Sequence, residues 1–95
     1  MPQPKYRIPR RVDLGHGYIV RTILVPPLRL IELFTEYSDS EPEPGSTMSG
    51  FIDDDDDTNW IMYINSRIPV SEKWDTFYHE LLHAVTDIKD LVRGG

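Results

Sequence analysis

The chain contains no cysteine among its 95 residues. This absence excludes disulfide bonds and thiolate metal sites, and it is typical of proteins that live in a reducing compartment. Small domains without disulfides often gain stability from a metal or from a partner subunit. A metal in this protein would therefore be held by histidine nitrogens and carboxylate oxygens.

Positive charge and long apolar runs are also scarce. Lys and Arg total 10 against 16 Asp and Glu, which gives a formal net charge of −6. Because phosphate backbones are contacted mainly by Lys and Arg, we do not expect this chain to bind nucleic acid. No apolar run approaches the length of a membrane span, and the opening residues MPQPKYR contain no apolar signal core. We therefore predict a cytoplasmic protein with no membrane partner.

The length predicts one domain over residues 1–95. Alternating side chains predict N-terminal strands within residues 1–27, with a turn at Gly15-His16-Gly17. Residues 28–37 carry apolar side chains at helical spacing, although a strand is nearly as consistent with them. Residues 38–50 are rich in Pro, Gly and Ser, which is typical of a loop.

Residues 51–65 predict a hairpin around the acidic run Asp53–Asp57. An EF-hand calcium loop beginning at Asp53 would need Gly at the position of Thr58 and Glu at the position of Ile64. The run therefore favours an exposed turn over a calcium site.

Residues 71–93 give the clearest helical pattern in the chain. Apolar side chains recur there every three or four positions, at Trp74, Phe77, Tyr78, Leu81, Val85, Ile88 and Val92. Together these elements predict an α+β fold in which a small, mostly antiparallel sheet packs on the C-terminal helix.

The same helix carries His79, Glu80 and His83 in the order His-Glu-x-x-His. Residues four apart lie one turn apart on the same helix face, so two imidazoles at this spacing can reach one metal ion. Glu80 projects beside the pair, where its carboxylate can accept a proton from water. The two histidines lie nearly opposite the apolar stripe, which leaves them facing a cleft.

The stretch HELLHAVTD closely resembles the active-site helix of thermolysin-like zinc metallopeptidases. Residues 50–90 also resemble the small zincin domains often encoded by phages and prophages, in which a glycine-led hairpin (GFIDDDDDTNWIMYIN) precedes HELLHA. The resemblance implies a zinc endopeptidase with His79 and His83 as ligands and Glu80 as general base. It further implies that strand Trp60–Asn65 is the sheet edge on which an extended peptide substrate pairs.

Catalytic zinc sites usually have a third protein ligand, and the sequence assigns none. Thermolysin-like enzymes use a later Glu, and no Glu follows Glu80 in this sequence. The metzincin pattern would place Gly at the position of Thr86 and a ligand at that of Lys89. Completion by an upstream acid (Glu32, Glu36 or the run Asp53–Asp57), by a neighbouring chain or by a second water therefore stays open.

Three further residues are candidates for supporting roles. Asp87, one turn after His83, can orient the imidazole or can be a solvated helix-end acid. Asp90 could reach the metal only if the helix unwinds after Thr86. His16, in its Gly-rich turn, could supply a ligand or a hydrogen bond to the oxyanion, although an exposed turn histidine is the simpler interpretation.

The predicted function is hydrolysis of a peptide or protein substrate with Zn²⁺ as cofactor. The alternative is a non-catalytic zincin-fold protein with a structural or assembly role. Such a protein could be a phage virion component or a homo-oligomer; a phage-encoded enzyme would act in the host cytoplasm.

Overall fold

The computed structural model of this protein describes residues 7–39, 48–54, 56 and 58–94, with side chains described as far as Asp90. Within these residues the elements in chain order are β1 (Arg11–Gly15), β2 (Tyr18–Val25), α1 (Pro27–Ser38), β3 (Gly50–Asp53), β4 (Asn59–Asn65) and α2 (Val70–Gly94). Residues 1–6 of the predicted N-terminal strand region and residues 40–47 of the predicted loop lie outside the described residues.

The described strands form one mixed sheet in the order β1-β2-β4-β3. The β1–β2 and β3–β4 pairings are antiparallel, whereas β2 and β4 run parallel. The C-terminal helix packs on this sheet through a shared core. The predicted α+β class, with a mostly antiparallel sheet on a C-terminal helix, is therefore confirmed.

The strand Trp60–Asn65 is not a sheet edge, so that prediction is wrong. It belongs to β4, which lies between β2 and β3 and pairs with both. Parallel strands require a crossover connection, and here the connection from β2 to β4 includes α1 and then β3. Because β3 pairs with the far side of β4, β3 is the edge strand among the strands that the structure describes.

The turn between β1 and β2 depends on glycine. Gly15, His16 and Gly17 have φ angles of 82°, 55° and 83°, in the left-handed region that glycine adopts without steric cost. The Gly15 N–H donates a hydrogen bond to the Asp13 carboxylate at 2.9 Å, which fixes the start of the turn. His16 is thereby held in an exposed position at the tip of this hairpin.

Residues 28–37, which the sequence allowed to be either a helix or a strand, belong to the helix α1. Pro27 occupies its first turn, and the chain leaves it at Asp39, whose N–H donates to the Thr35 carbonyl at 2.9 Å. Leu30 is fully buried against Val25 and Phe51. This core lies on the face of the sheet opposite α2, since side chains alternate between faces along β3 and β4.

The other face of the sheet is covered by α2. Its buried core comprises Val20, Trp60, Met62, Ile64, Phe77, Ala84 and Ile88. The helix approaches the sheet at Ala84, which is 1% exposed, whereas Tyr78 of the predicted stripe is 60% exposed and stacks on Trp74. Within the part of the chain that the structure describes, neither helix is long and apolar enough to cross a membrane.

Asn65 is a buried polar side chain that fastens the end of β4. Its Nδ2 donates to the Met48 carbonyl at 3.1 Å, and its Oδ1 accepts from the Arg67 N–H at 2.9 Å. We expect Asn65→Ala to lower the free energy of unfolding by about 1–2 kcal/mol, because both backbone groups lose their partner. Urea denaturation would measure it.

Asn59→Ala is the matched control, because Asn59 is an exposed asparagine on the same strand. We expect it to change the free energy of unfolding by less than about 0.5 kcal/mol. Equal effects of the two substitutions would contradict an anchoring role for Asn65.

Candidate metal and catalytic site

The histidines of the HELLH sequence lie side by side on α2. The ring centroids of His79 and His83 are 4.6 Å apart, with the ring planes inclined at 43°. Both side chains are exposed. Two adjacent imidazoles of this kind can bind a single cation from one helix face.

Glu80 is less exposed than the two histidines beside it. It is half-buried, and this burial raises the pKa of its carboxyl group, while the nearby His79 and His83 act in the opposite direction. A carboxylate with a raised pKa holds a proton more readily than an exposed one. Glu80 therefore has the environment expected of a general base.

A cavity of about 160 Å³ opens beside Glu80 and His83. The polar and apolar side chains that line it include Tyr37, Ile52, Asp54, Glu80, His83 and Asp87. Sites that enclose a small-molecule ligand typically measure roughly 300–1,000 Å³. This cavity is smaller, so it has room for only part of such a ligand.

Tyr37 of this cavity was not identified from the sequence, and Asp54 was considered only as one member of the acidic run Asp53–Asp57. Tyr37 lies in the last turn of α1, and its hydroxyl donates a hydrogen bond of 2.8 Å to Oδ1 of Asp54, just after β3. The ring of Tyr37 packs against Phe51, with 5.5 Å between centroids. No local sequence pattern joins positions 37 and 54, because their contact depends on how α1 crosses the sheet.

Of the three predicted supporting residues, Asp87 lines the cavity, whereas Asp90 and His16 do not. Asp87 lines the same cavity as His83, although no hydrogen bond joins these two described side chains. Asp90 is exposed and stays on α2, which continues without a break to Gly94. His16 lies at the tip of the β1–β2 hairpin and does not line the cavity. The structure thus brings His79, Glu80, His83 and Asp87 together and leaves Asp90 and His16 apart.

The side chains at this site provide some, but not all, of the ligands that a catalytic zinc ion normally has. Two imidazoles are preferred zinc ligands, but a catalytic site normally has three protein ligands. Among the described residues, no three His, Asp or Glu side chains are arranged to hold a metal ion. His79 and His83 would therefore supply two positions if a metal binds here, and a third is not found among the described residues.

A second, more open cavity of about 490 Å³ lies at the acidic turn before β4. It is lined by Arg21, Asp53 and Asp56, among others. Asp56 accepts hydrogen bonds from the N–H groups of Thr58 and Asn59, and these bonds lower the pKa of its carboxyl group. Asp56 therefore shapes the exposed turn, as expected for a hairpin.

Comparisons with known proteins add no assignment to this site. No protein-family model, no curated protein and no solved structure matches the chain. Its function is therefore inferred from the residues and geometry described above.

Proposed function

We propose that this protein is a zinc-dependent metallopeptidase in which His79 and His83 bind the metal and Glu80 is the general base. The observation that carries the proposal is the position of Glu80, which is half-buried in a cavity that it shares with His83. A structural metal site needs no carboxylate base beside it. The pattern His-Glu-x-x-His on a real helix therefore supports hydrolysis more than a purely structural site.

The residues of the chain account for the proton transfers of peptide hydrolysis. When bound, zinc supplies Lewis acidity, which polarises a carbonyl group and makes water easier to deprotonate. Glu80 accepts a proton from water while the water oxygen bonds to the carbonyl carbon and the C=O π electrons move to the carbonyl oxygen. When the C–N bond breaks, the electron pair stays on nitrogen, and Glu80 returns the proton to it.

The position of β3 at the edge of the described sheet supports binding of an extended peptide. The Asn65 N–H donates to the Ser49 carbonyl at 2.8 Å, so by alternation the backbone groups of Gly50 and Ile52 point away from β4. Ile52 also lines the cavity beside Glu80. A substrate that pairs with β3 by β-augmentation would thus pass next to the proposed base.

The lack of an assigned third ligand favours one alternative function. If the remaining coordination positions are filled by a second copy or by another assembly partner, the fold would serve a structural role, such as that of a virion component. In that case the two exposed histidines would form part of an interface. The two candidates differ in zinc per chain and in dependence on Glu80.

Zinc content tests the proposal directly. We expect protein purified without added metal to contain about one zinc per chain by elemental analysis, because the two imidazoles converge on one face. His83→Ala should lose the zinc, since one imidazole is a poor site. His16→Ala is the matched control and should retain it, because His16 lies in the remote hairpin turn.

Zinc-loaded protein should then hydrolyse an unfolded protein substrate. Absence of zinc from wild-type protein, even after dialysis against micromolar zinc, would contradict the proposed function. Half a zinc per chain, together with a dimeric mass by light scattering, would instead favour the assembly candidate.

A further inference from the structure

We infer that one side of α2 is a dimer interface, on which a second copy of this chain packs with its own α2 running antiparallel. The interface consists of five residues, which we call the α2 seam: Asp75, Tyr78, Leu82, Val85 and Lys89. The inference does not depend on the proposed function, because none of these five residues lines the cavity beside Glu80.

The centre of the α2 seam is apolar and open to solvent. Leu82 is 65% exposed and Tyr78 is 60% exposed, and Val85 beside them is partly exposed. These three side chains are three or four positions apart, so they form one continuous stripe along the helix. Large apolar side chains that are exposed together mark a surface on which another protein packs.

The two ends of the α2 seam carry opposite charges. Asp75 lies seven residues before Leu82, and Lys89 lies seven residues after it. Residues seven apart differ by only about 20° around a helix, so both charged side chains lie in line with Leu82. Both are exposed, and neither has an ion pair with another described residue. The α2 seam therefore has an unpaired acid and an unpaired base at equal distances from its centre.

This order of charges selects a second copy of the chain in the antiparallel orientation. With the two-fold axis beside Leu82, each Asp75 faces the Lys89 of the other copy, and each Tyr78 faces a Val85. A parallel copy would instead bring like charges together at both ends. Helices that meet through residues three and four apart cross at only about 20°, so both charged pairs stay within reach.

The dimer leaves the cavity beside Glu80 open in each copy. Glu80 is two residues before Leu82, which places it about 160° away around the helix. The cavity also includes Ile52 of the edge strand β3, so it lies between α2 and its own sheet. Each copy would therefore keep a separate cavity, and the second copy would supply no residue to it.

The α2 seam is short, so we expect a weak dimer. Asp75 and Lys89 are about 21 Å apart along the helix axis. A contact of this length buries less than the roughly 1,600 Å² of a standard interface, which favours a dissociation constant in the micromolar range or weaker. Sedimentation velocity of the full chain from about 5 to 500 µM would detect such a dimer. A chain that stays monomeric throughout would overturn the inference.

Leu82→Gln removes the apolar contact at the two-fold axis from both copies at once. We expect the dissociation constant of the dimer to increase about 100-fold. The circular dichroism of the monomer should not change, because Leu82 is exposed. Leu28→Gln is the matched control, since Leu28 is an exposed leucine on α1, and it should dimerise like wild type. Equal dimerisation of the two variants would contradict a contact at Leu82.

His83→Ala separates this dimer from one that is bridged by a metal ion. His83 lies outside the α2 seam, so His83→Ala should dimerise like wild type in the same experiment. Loss of the dimer in this variant would overturn the inference and would favour contact through the histidines.

The paired charges give the decisive test. Asp75→Lys places lysine opposite lysine, and Lys89→Asp places aspartate opposite aspartate, so each variant alone should dimerise about tenfold more weakly than wild type. An equal mixture of the two variants restores both pairs of opposite charge in a heterodimer. We expect this heterodimer to form with nearly wild-type affinity. Variants that each dimerise like wild type, or a mixture that forms no heterodimer, would overturn the antiparallel interface.

Discussion

Glu80→Gln is expected to reduce peptide hydrolysis by roughly 10³- to 10⁴-fold, at the upper end of the range for a general base. Gln has nearly the shape of Glu but cannot accept a proton from water or return one to the leaving nitrogen. Both proton transfers are lost together, so the expected loss of activity lies at the upper end of that range. Zinc content should remain at the wild-type level, because His79 and His83 are unchanged. Steady-state kinetics on protein of measured zinc content would test this.

The same substitution should leave the fold intact or make it slightly more stable. Burial raises the pKa of Glu80, so its ionised form is less favourable in the folded chain than in the unfolded one. A raised carboxyl pKa means that stability decreases as the pH rises through the folded-state pKa, and neutral Gln removes this penalty. We therefore expect the midpoint of thermal unfolding of the metal-free protein at neutral pH to be equal or higher. A functional group that opposes stability is common at active sites.

Glu72→Gln is the matched control for Glu80→Gln. Glu72 lies in the first turn of α2 and is exposed, away from the cavity. It should keep both zinc and activity. Hydrolysis that survives Glu80→Gln unchanged would contradict the general-base role, and with zinc still bound it would favour the structural or assembly candidate.

The elements of the fold could be predicted because their signals are local. Helical spacing gave α2 close to its observed bounds, Val70–Gly94. Alternation gave the first hairpin, and an acidic turn between two apolar segments gave the second. The parallel pairing of β2 with β4 could not be predicted, because the order of strands in a sheet depends on contacts distant in sequence. The same limit produced the mistaken edge assignment for Trp60–Asn65.

Side-chain burial on α2 could be predicted only in part. Periodicity identified Phe77 and Ile88 as core residues, and both are buried. It also included Tyr78, which lies at the margin of the apolar stripe and projects into solvent, and it passed over Ala84. A small side chain is needed where the helix approaches the sheet, and hydrophobic periodicity weights large side chains more heavily.

The residues of the candidate site could also be predicted only in part. His79, Glu80 and His83 lie within one and a half turns of one helix, so helix geometry alone places them together. Tyr37 and Asp54 are 17 residues apart, and they meet only because α1 ends beside the edge strand. The sequence contained both residues but no signal that joins them to the HELLH motif.

Gly50→Ala is expected to destabilise the fold by about 3 kcal/mol, the upper end for overpacking. A Cβ atom at Gly50 would meet the backbone carbonyl oxygen of Tyr63, and Cγ2 of Thr76 would lie 2.9 Å away. The first contact is with backbone of the paired strand and cannot be relieved by rotating a side chain. For a domain of this size, the loss corresponds to a decrease of about 12–24 °C in the unfolding midpoint, measured by calorimetry.

Thr76→Ser separates the two contacts at Gly50. Ser removes Cγ2 but keeps the hydroxyl that donates to the Glu72 carbonyl at 2.8 Å. Thr76→Ser should therefore restore part of the stability lost in Gly50→Ala and leave the share caused by the Tyr63 carbonyl. Gly50 lies where β3 meets α2. Because glycine has no side chain, the edge strand can pack closely against the helix that carries Glu80. Ser49→Ala, at the neighbouring residue, is the control and should leave the free energy of unfolding nearly unchanged. A Gly50→Ala variant with wild-type stability would contradict this close packing of β3 on α2.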